Sequence, residues 1–146
     1  MVILHTASEV ITLSRKLEND SAGFYEELAR RYATAAESFL AFAGENRKNV
    51  AQVERAYYGV ITDALEGCFA FNINEDDYTL ATELRGRAGY TDILNQAMEL
   101  EKKILAFYTD AAGQSKSLMA DVPRTFTLIA RKREKRLAQL EALLKG

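Results

Sequence analysis

Four long stretches of this 146-residue chain repeat apolar side chains at the i, i+3, i+4, i+7 spacing of one helix face. They cover about 7–32, 35–63, 92–112 and 122–144. Helix-forming residues are abundant, and the chain has one proline and no tryptophan. This pattern predicts an all-α protein in which each helix buries one apolar stripe.

Helix start signals stand at all four stretches. A Ser or Thr with a Glu three residues later forms a capping box, in which side chains and backbone N–H groups satisfy one another. The N-cap candidates are Thr6, Thr34, Thr91 and Asp121, and Glu9 and Glu37 complete the boxes of the first two. Pro123 is compatible with a first helical turn after Asp121. These signals place the predicted helix starts.

The connections between the stretches differ in length. Short links join the first helix to the second and the third to the fourth, whereas about 64–90 forms a long crossover. The crossover has room for a short helix near 75–84, and we expect Phe69 and Phe71 to pack on a neighbouring helix. An antiparallel four-helix bundle with one long crossover is the ferritin-like arrangement. The length of the chain predicts one domain, over 1–146.

Charge and cysteine content limit the possible partners. The net charge is -2, so nothing global attracts nucleic acid or an anionic membrane. The basic run at 131–136 is therefore expected to be mainly a solvated helix face. No apolar run reaches the length of a membrane span, and no signal peptide is predicted. Cys68 is the one cysteine, which excludes an intrachain disulfide and predicts a reducing, cytoplasmic location.

The two halves of the chain resemble each other. The matched segments are LENDSAGFYEELA (17–29) with LEKKILAFYTDAA (100–112), and NVAQVE (49–54) with RLAQLE (136–141). In the first pair, Glu18 and Glu101 each stand six and seven residues before a Phe-Tyr pair. Two matches in the same order on equivalent helices indicate an internal duplication.

This pattern resembles the rubrerythrin branch of the ferritin-like, di-iron carboxylate superfamily, over nearly the whole chain. The family's Glu before Phe-Tyr is present on both odd helices, and FLAFAGENRKN (39–49) and FTLIARKREKR (126–136) fit its even helices. The resemblance implies an antiparallel bundle that holds two irons in family members and supports oxidase or peroxidase chemistry there.

The family's metal ligands do not carry over. Glu18 and Glu101 match ligand positions, but the two E-x-x-H motifs fall on other residues. Those residues are Asn46 and Asn49 on the second helix and Arg133 and Arg136 on the fourth. Asn binds iron weakly, and Arg stays protonated and cannot act as a ligand. We therefore expect a degenerate site with no metal or other cofactor, whose vestigial ligands are Glu18 and Glu101.

Helical angles suggest what occupies the metal space. Arg133 falls in the middle of the fourth apolar stripe and Arg136 on its edge, whereas Arg131, Lys132 and Lys135 point outward. We predict that the two inward Arg side chains pair with Glu18 and Glu101, and that the remaining partners include Asn46, Asn49, Tyr25 and Tyr108. The alternative is that Arg136 extends to solvent and only Arg133 pairs.

Three functions remain open. The first is a metal-free structural or interaction module, a homodimer without nucleic-acid or membrane partners, and not an enzyme. The second is an iron- or manganese-binding redox enzyme with a reduced site, one ion being held by Glu18, Glu101 and water. The third is a small-molecule binder with a cavity between Glu18, Asn46, Glu101 and Arg133.

Overall fold

A computed structural model describes residues 1–58, 70–84, 89–116 and 121–146. The long helices in these ranges are α1 (Ala7–Arg31), α2 (Ala36–Tyr58), α3 (Tyr90–Gln114) and α4 (Asp121–Lys145). This confirms the all-α prediction. The predicted end of the second helix at 63 lies outside the described residues, as do Cys68 and Phe69.

The helix directions explain the long crossover. Side-chain contacts show that α1 runs antiparallel to both α2 and α3, because Asn49 meets Glu18 while Asn46 meets Ser21, and Tyr108 meets Glu18 while Glu101 meets Tyr25. It follows that α2 and α3 run parallel. Their connection must return along the length of the bundle, which a tight turn cannot do.

The crossover runs back along α3. Near the C-terminal end of α3, the Gln114 side chain accepts from the backbone N–H of Asn72 at 2.6 Å. Further along, Lys103 Nζ donates to the Thr79 carbonyl at 2.8 Å. Near the N-terminal end, Gln96 Nε2 donates to the carbonyls of Ala81 and Glu83. Polar side chains of α3 therefore hold an extended backbone segment against the bundle.

A two-stranded sheet joins the crossover to the N-terminus, and the sequence did not predict it. Strand β1 (Ile3–Leu4) pairs antiparallel with β2 (Ile73–Asn74). Leu4 and Ile73 are buried in the core, and Phe71 is buried beside them, as expected for this residue. The sheet therefore ties the crossover to the segment that immediately precedes α1.

Several predicted helix starts are corrected. Thr6 and Glu9 form the expected capping box. Thr34 instead lies within a 3-10 turn (Ala33–Ala35), so it does not cap α2. Likewise α3 starts one residue before Thr91, after Gly89, and α4 already includes Asp121. In the crossover, the described residues near 75–84 contain only a 3-10 turn at Glu75–Tyr78.

Aromatic side chains form the inner layer beside the polar centre. Tyr25 stacks on Phe39 at 6.1 Å between ring centroids and meets Phe42 edge-on at 5.2 Å. In the other half of the bundle, Tyr108 meets Phe126 at 6.0 Å. The phenol groups of both tyrosines point to the centre of the bundle. Among the described residues, no helix has the length and apolarity that crossing a membrane requires.

Candidate functional site: a charged centre in the bundle

The six polar residues singled out in the sequence come together at the centre of the bundle. Glu18, Asn46, Asn49, Glu101 and Arg133 have no exposed surface, and Arg136 is 1% exposed. They come from all four helices. Burying charged groups costs several kcal/mol each unless they are paired and hydrogen-bonded, so the contacts among them decide whether the fold tolerates them.

Arg133 lies between the two carboxylates. Its Nη1 donates to both carboxylate oxygens of Glu101, at 2.7 and 2.9 Å. Its Nη2 donates to Glu18 Oε2. One planar guanidinium thus bridges an acid of α1 and an acid of α3, which its fork of N–H donors suits well.

Arg136 also points inward and reaches the rim of the bundle. Its Nη1 donates to Asn46 Oδ1 at 2.7 Å and to Glu101 Oε1 at 3.2 Å. Its Nη2 donates to the Phe42 carbonyl at 3.1 Å and to Glu45 Oε1 at 2.6 Å. The guanidinium carbon also lies over the Phe42 ring, 4.9 Å from its centroid, where the ring face attracts a cation. The alternative in which Arg136 extends freely into solvent is therefore not observed.

The two asparagines take up part of the remaining hydrogen-bonding capacity. Asn49 Nδ2 donates to Glu18 Oε1 at 3.2 Å, and Asn46 Nδ2 donates to Ser21 Oγ at 2.9 Å. Within the described chain, the Nε–H groups of Arg133 and Arg136 are the buried side-chain donors without an acceptor. The network therefore satisfies the terminal nitrogens of both guanidiniums and leaves their Nε positions as a residual cost.

Two buried tyrosines complete the surroundings of the carboxylates. Tyr25 donates to Glu101 Oε1 at 2.7 Å, and Tyr108 donates to Glu18 Oε1 at 2.9 Å. Burial, followed by the charge of the nearby carboxylate, raises the pKa of each phenol well above its ordinary value. Burial lowers the pKa of Arg133, but Glu101 and Glu18 outweigh that effect and raise it well above the usual range. The tyrosines therefore stay neutral donors and Arg133 stays a cation.

The contacts follow the correspondence between the two halves of the sequence. Tyr25 of the first half donates to Glu101 of the second, and Tyr108 of the second donates to Glu18 of the first. The positions aligned as 45 and 132 behave in the same crossed way. Glu45 accepts from Arg136, and Lys132 donates to Asn49, which is the residue aligned with Arg136. The acids and tyrosines at the aligned positions of α1 and α3 are alike. At the aligned positions of the other two helices, α2 carries asparagines and α4 carries arginines.

Sequence reasoning missed four contributors to this centre. Lys132 was predicted to point outward, but it is half-buried and its Nζ lies 3.4 Å from Asn49 Oδ1 and 3.3 Å from Gln52 Oε1. Glu45 was not among the residues predicted to join the centre, yet it pairs with Arg136 from a half-exposed position. Ser14 and Ser21 are buried partners of Tyr108 and Asn46. The available signal for Ser21 was its position in the apolar repeat of α1, between Leu17 and Tyr25.

The arrangement does not fit the di-iron centre that the resemblance implies. The guanidinium of Arg133 contacts both carboxylates that could bind a metal, and a permanent cation there repels a divalent ion. Across the described ranges, no three His, Cys, Asp or Glu side chains are grouped so that they could hold a metal ion. Nor is there room for a ligand between Glu101 and Arg133, which are in direct hydrogen-bonding contact. This centre fixes buried charges of both signs in one geometry.

Comparison with known proteins gives no relative. No family model, no curated protein and no solved structure matches this chain.

Proposed function

We propose that this chain is a metal-free structural or interaction module of the ferritin-like type, derived from a rubrerythrin-like di-iron protein. The observation that carries the proposal is the position of Arg133, whose guanidinium bridges Glu18 and Glu101. Those two acids stand where the resemblance puts metal ligands. In this proposal, the arginine supplies from within the chain the positive charge that the metal supplied.

The charge balance supports this interpretation. Two carboxylates and two guanidiniums are buried at the centre, so their formal charges cancel without an ion. A di-iron site needs carboxylate and imidazole ligands with enough negative charge for two divalent ions. The chain's one histidine, His5, contacts the Phe71 carbonyl at the N-terminal sheet, away from this centre. A redox enzyme holding one ion through Glu18 and Glu101 has less support, because both acids are already bound to Arg133.

Metal analysis tests the proposal directly. Protein purified without chelator and then incubated with ferrous or manganous ion should contain far less than one metal ion per chain after desalting. The matched variant restores both E-x-x-H motifs through Asn46→Glu, Asn49→His, Arg133→Glu and Arg136→His. It should bind about two irons per chain, as the bundle sites of this type do. Near-stoichiometric metal in the unaltered protein would refute the metal-free proposal, and an iron-free but folded variant would refute the proposed ancestry.

The interaction role is proposed to be self-association as a homodimer. Leu40 and Tyr58 on α2 are 54% and 61% exposed, and their spacing of 18 residues puts them on the same helix face. Pairing of this face with a second copy would cover both side chains. Sedimentation equilibrium over a wide concentration range measures the mass of the species, and a monomer at every concentration would contradict this part of the proposal.

A further inference from the structure

A surface groove between α3 and α4 gathers positive charge. It lies near the hairpin end of these two helices and has a volume of about 480 Å³. Lys116 contributes from the C-terminal end of α3, and Arg124 and Arg131 contribute from the first half of α4. Glu134 is the one acid of its lining, so the groove has a net charge of +2.

The three cations are available to a ligand. Lys116, Arg124 and Arg131 are exposed, and none of them forms an ion pair with any described residue. Other surface cations on these helices are already paired, such as Lys102 with Glu99 and Lys145 with Glu141. Unpaired like charges around one groove repel one another, and a bound anion relieves that repulsion.

The floor of the groove is apolar and open. Ala112, Gly113 and Ala130 line it, and a Cβ added at Gly113 would meet no atom within 4 Å. Thr109 adds a hydroxyl at the edge. The volume falls within the range of small-molecule sites, which combine apolar walls with a few polar groups. The groove thus offers cationic contacts for a headgroup and an apolar floor for a small body.

We propose that this groove binds a small phosphate monoester, its phosphate held by Arg124, Arg131 and Lys116 and its organic part lying over Gly113. A dianionic phosphate matches the net charge of the groove, and the forked donors of arginine match phosphate oxygens. This site is separate from the buried centre and does not depend on whether that centre ever held metal.

Phenyl phosphate is the probe for this proposal, and inorganic phosphate is its headgroup control. Added to the isotope-labelled full chain, phenyl phosphate should shift the backbone amide resonances of Thr109, Gly113 and Thr127, with a Kd of about 1 mM or tighter. Inorganic phosphate should bind the same residues at least several-fold more weakly. Equal affinity for the two probes, or shifts confined to other residues, would overturn the proposal.

Two variants separate the charged and apolar parts of the site. Arg124→Gln with Arg131→Gln should weaken phenyl phosphate binding by about a hundredfold, since each of the two lost charged contacts is worth on the order of a factor of ten. The control, Lys48→Gln with Arg55→Gln, removes two exposed cations from α2 that form no ion pair with a residue in the described ranges, and it should leave the Kd unchanged. An equal loss in the control would indicate a nonspecific field and overturn the site.

Gly113→Leu fills the floor without changing charge. Leucine favours helix more than glycine does, so the variant should remain folded. It should abolish the preference for phenyl phosphate over inorganic phosphate, and an unchanged preference would overturn the placement of the organic part. Tight binding to vesicles containing an anionic phospholipid, with no binding of phenyl phosphate, would assign the groove to a membrane surface and overturn the small-molecule proposal.

Discussion

Arg133 is a permanent cation enclosed by protein, and its two carboxylate partners are enclosed with it. Removing such groups from water costs several kcal/mol per ion, and their mutual attraction returns much of that cost only when the geometry is good. A complete network can therefore be nearly neutral for stability while the loss of one member is expensive. This asymmetry makes single substitutions informative at the centre.

Glu101→Gln is predicted to destabilise the fold by about 3 kcal/mol or more, because it leaves a buried guanidinium charge uncompensated. Glu101 accepts hydrogen bonds from Arg133, Arg136 and Tyr25, so three side chains lose a charged acceptor. Chemical denaturation followed by circular dichroism measures the free energy of unfolding. The control Glu99→Gln alters a 72% exposed side chain on the same helix and should have almost no effect. Similar losses in the two variants would contradict the buried network.

The positions of Arg133 and Arg136 could be predicted from helical angle, but the contacts of Lys132 and Glu45 could not. A helical angle gives the direction of the bond from Cα to Cβ, and a long side chain at the rim can turn from that direction. Lys132 turns to Asn49 and Gln52 in this way. Prediction from one sequence is therefore best for side chains whose Cα already faces the centre.

At the scale of elements, apolar periodicity predicted four helices, and three predicted helix ends within the described residues lie within two residues of the observed ones. The strands β1 and β2 were missed because each has two residues and its partner lies about 70 positions away. The cap at Thr34 was wrong because a 3-10 turn tightens the entry to α2. Local signals identify long helices well and do not identify short pairings that tertiary contacts create.

The crossover segment 79–84 should become more mobile when the Gln96 side chain that binds it to α3 is removed. Gln96→Ala deletes the amide that donates to the carbonyls of Ala81 and Glu83, and alanine preserves the helix. We expect faster hydrogen exchange and faster proteolysis within 79–84, with a loss of about 1 kcal/mol in global stability. Exchange measured by mass spectrometry on peptides from this segment reports the change. Asn95→Ala, at an exposed neighbouring position, is the control, and equal exchange rates in the two variants would argue against this role of Gln96.

At the scale of the whole molecule, the buried tyrosines predict alkaline sensitivity. Burial and adjacent carboxylates raise the pKa of Tyr25 and Tyr108 above the unfolded value of about 10. The folded state therefore holds these protons more tightly, so their contribution is complete below pH 10 and is lost as the pH rises above it. Burial and Asp110 raise the pKa of Tyr78 to about 12, which adds to the loss in the same direction.

Absorbance at the phenolate band, recorded together with circular dichroism, tests this coupling. Tyr25 and Tyr108 should ionise only as the helices unfold, in one shared transition above pH 10. In the double variant Tyr25→Phe, Tyr108→Phe, stability should fall less between neutral pH and that range, since two raised pKa values are gone. Ionisation of all tyrosines with the helical signal intact would contradict the burial of these phenols.

The chain direction of the whole bundle was also within reach of the sequence. The link lengths predicted an antiparallel bundle of two helical hairpins joined by a long crossover. The side-chain contacts show that α1 and α2 are antiparallel, that α3 and α4 are antiparallel, and that α2 and α3 run in the same direction. Where the crossover lies could not be predicted, because its path depends on isolated polar side chains of α3 such as Lys103.

The difference in charge between α2 and α4 affects how the two helical hairpins pack against each other. The α1–α2 hairpin brings Glu18 and two asparagines to the centre, whereas the α3–α4 hairpin brings Glu101 and two arginines. Two copies of the first hairpin would enclose uncompensated anions, and two copies of the second would enclose an excess of cations. Only the unlike pair is neutral, so the charges at the centre favour pairing of the two different hairpins over pairing of two identical ones.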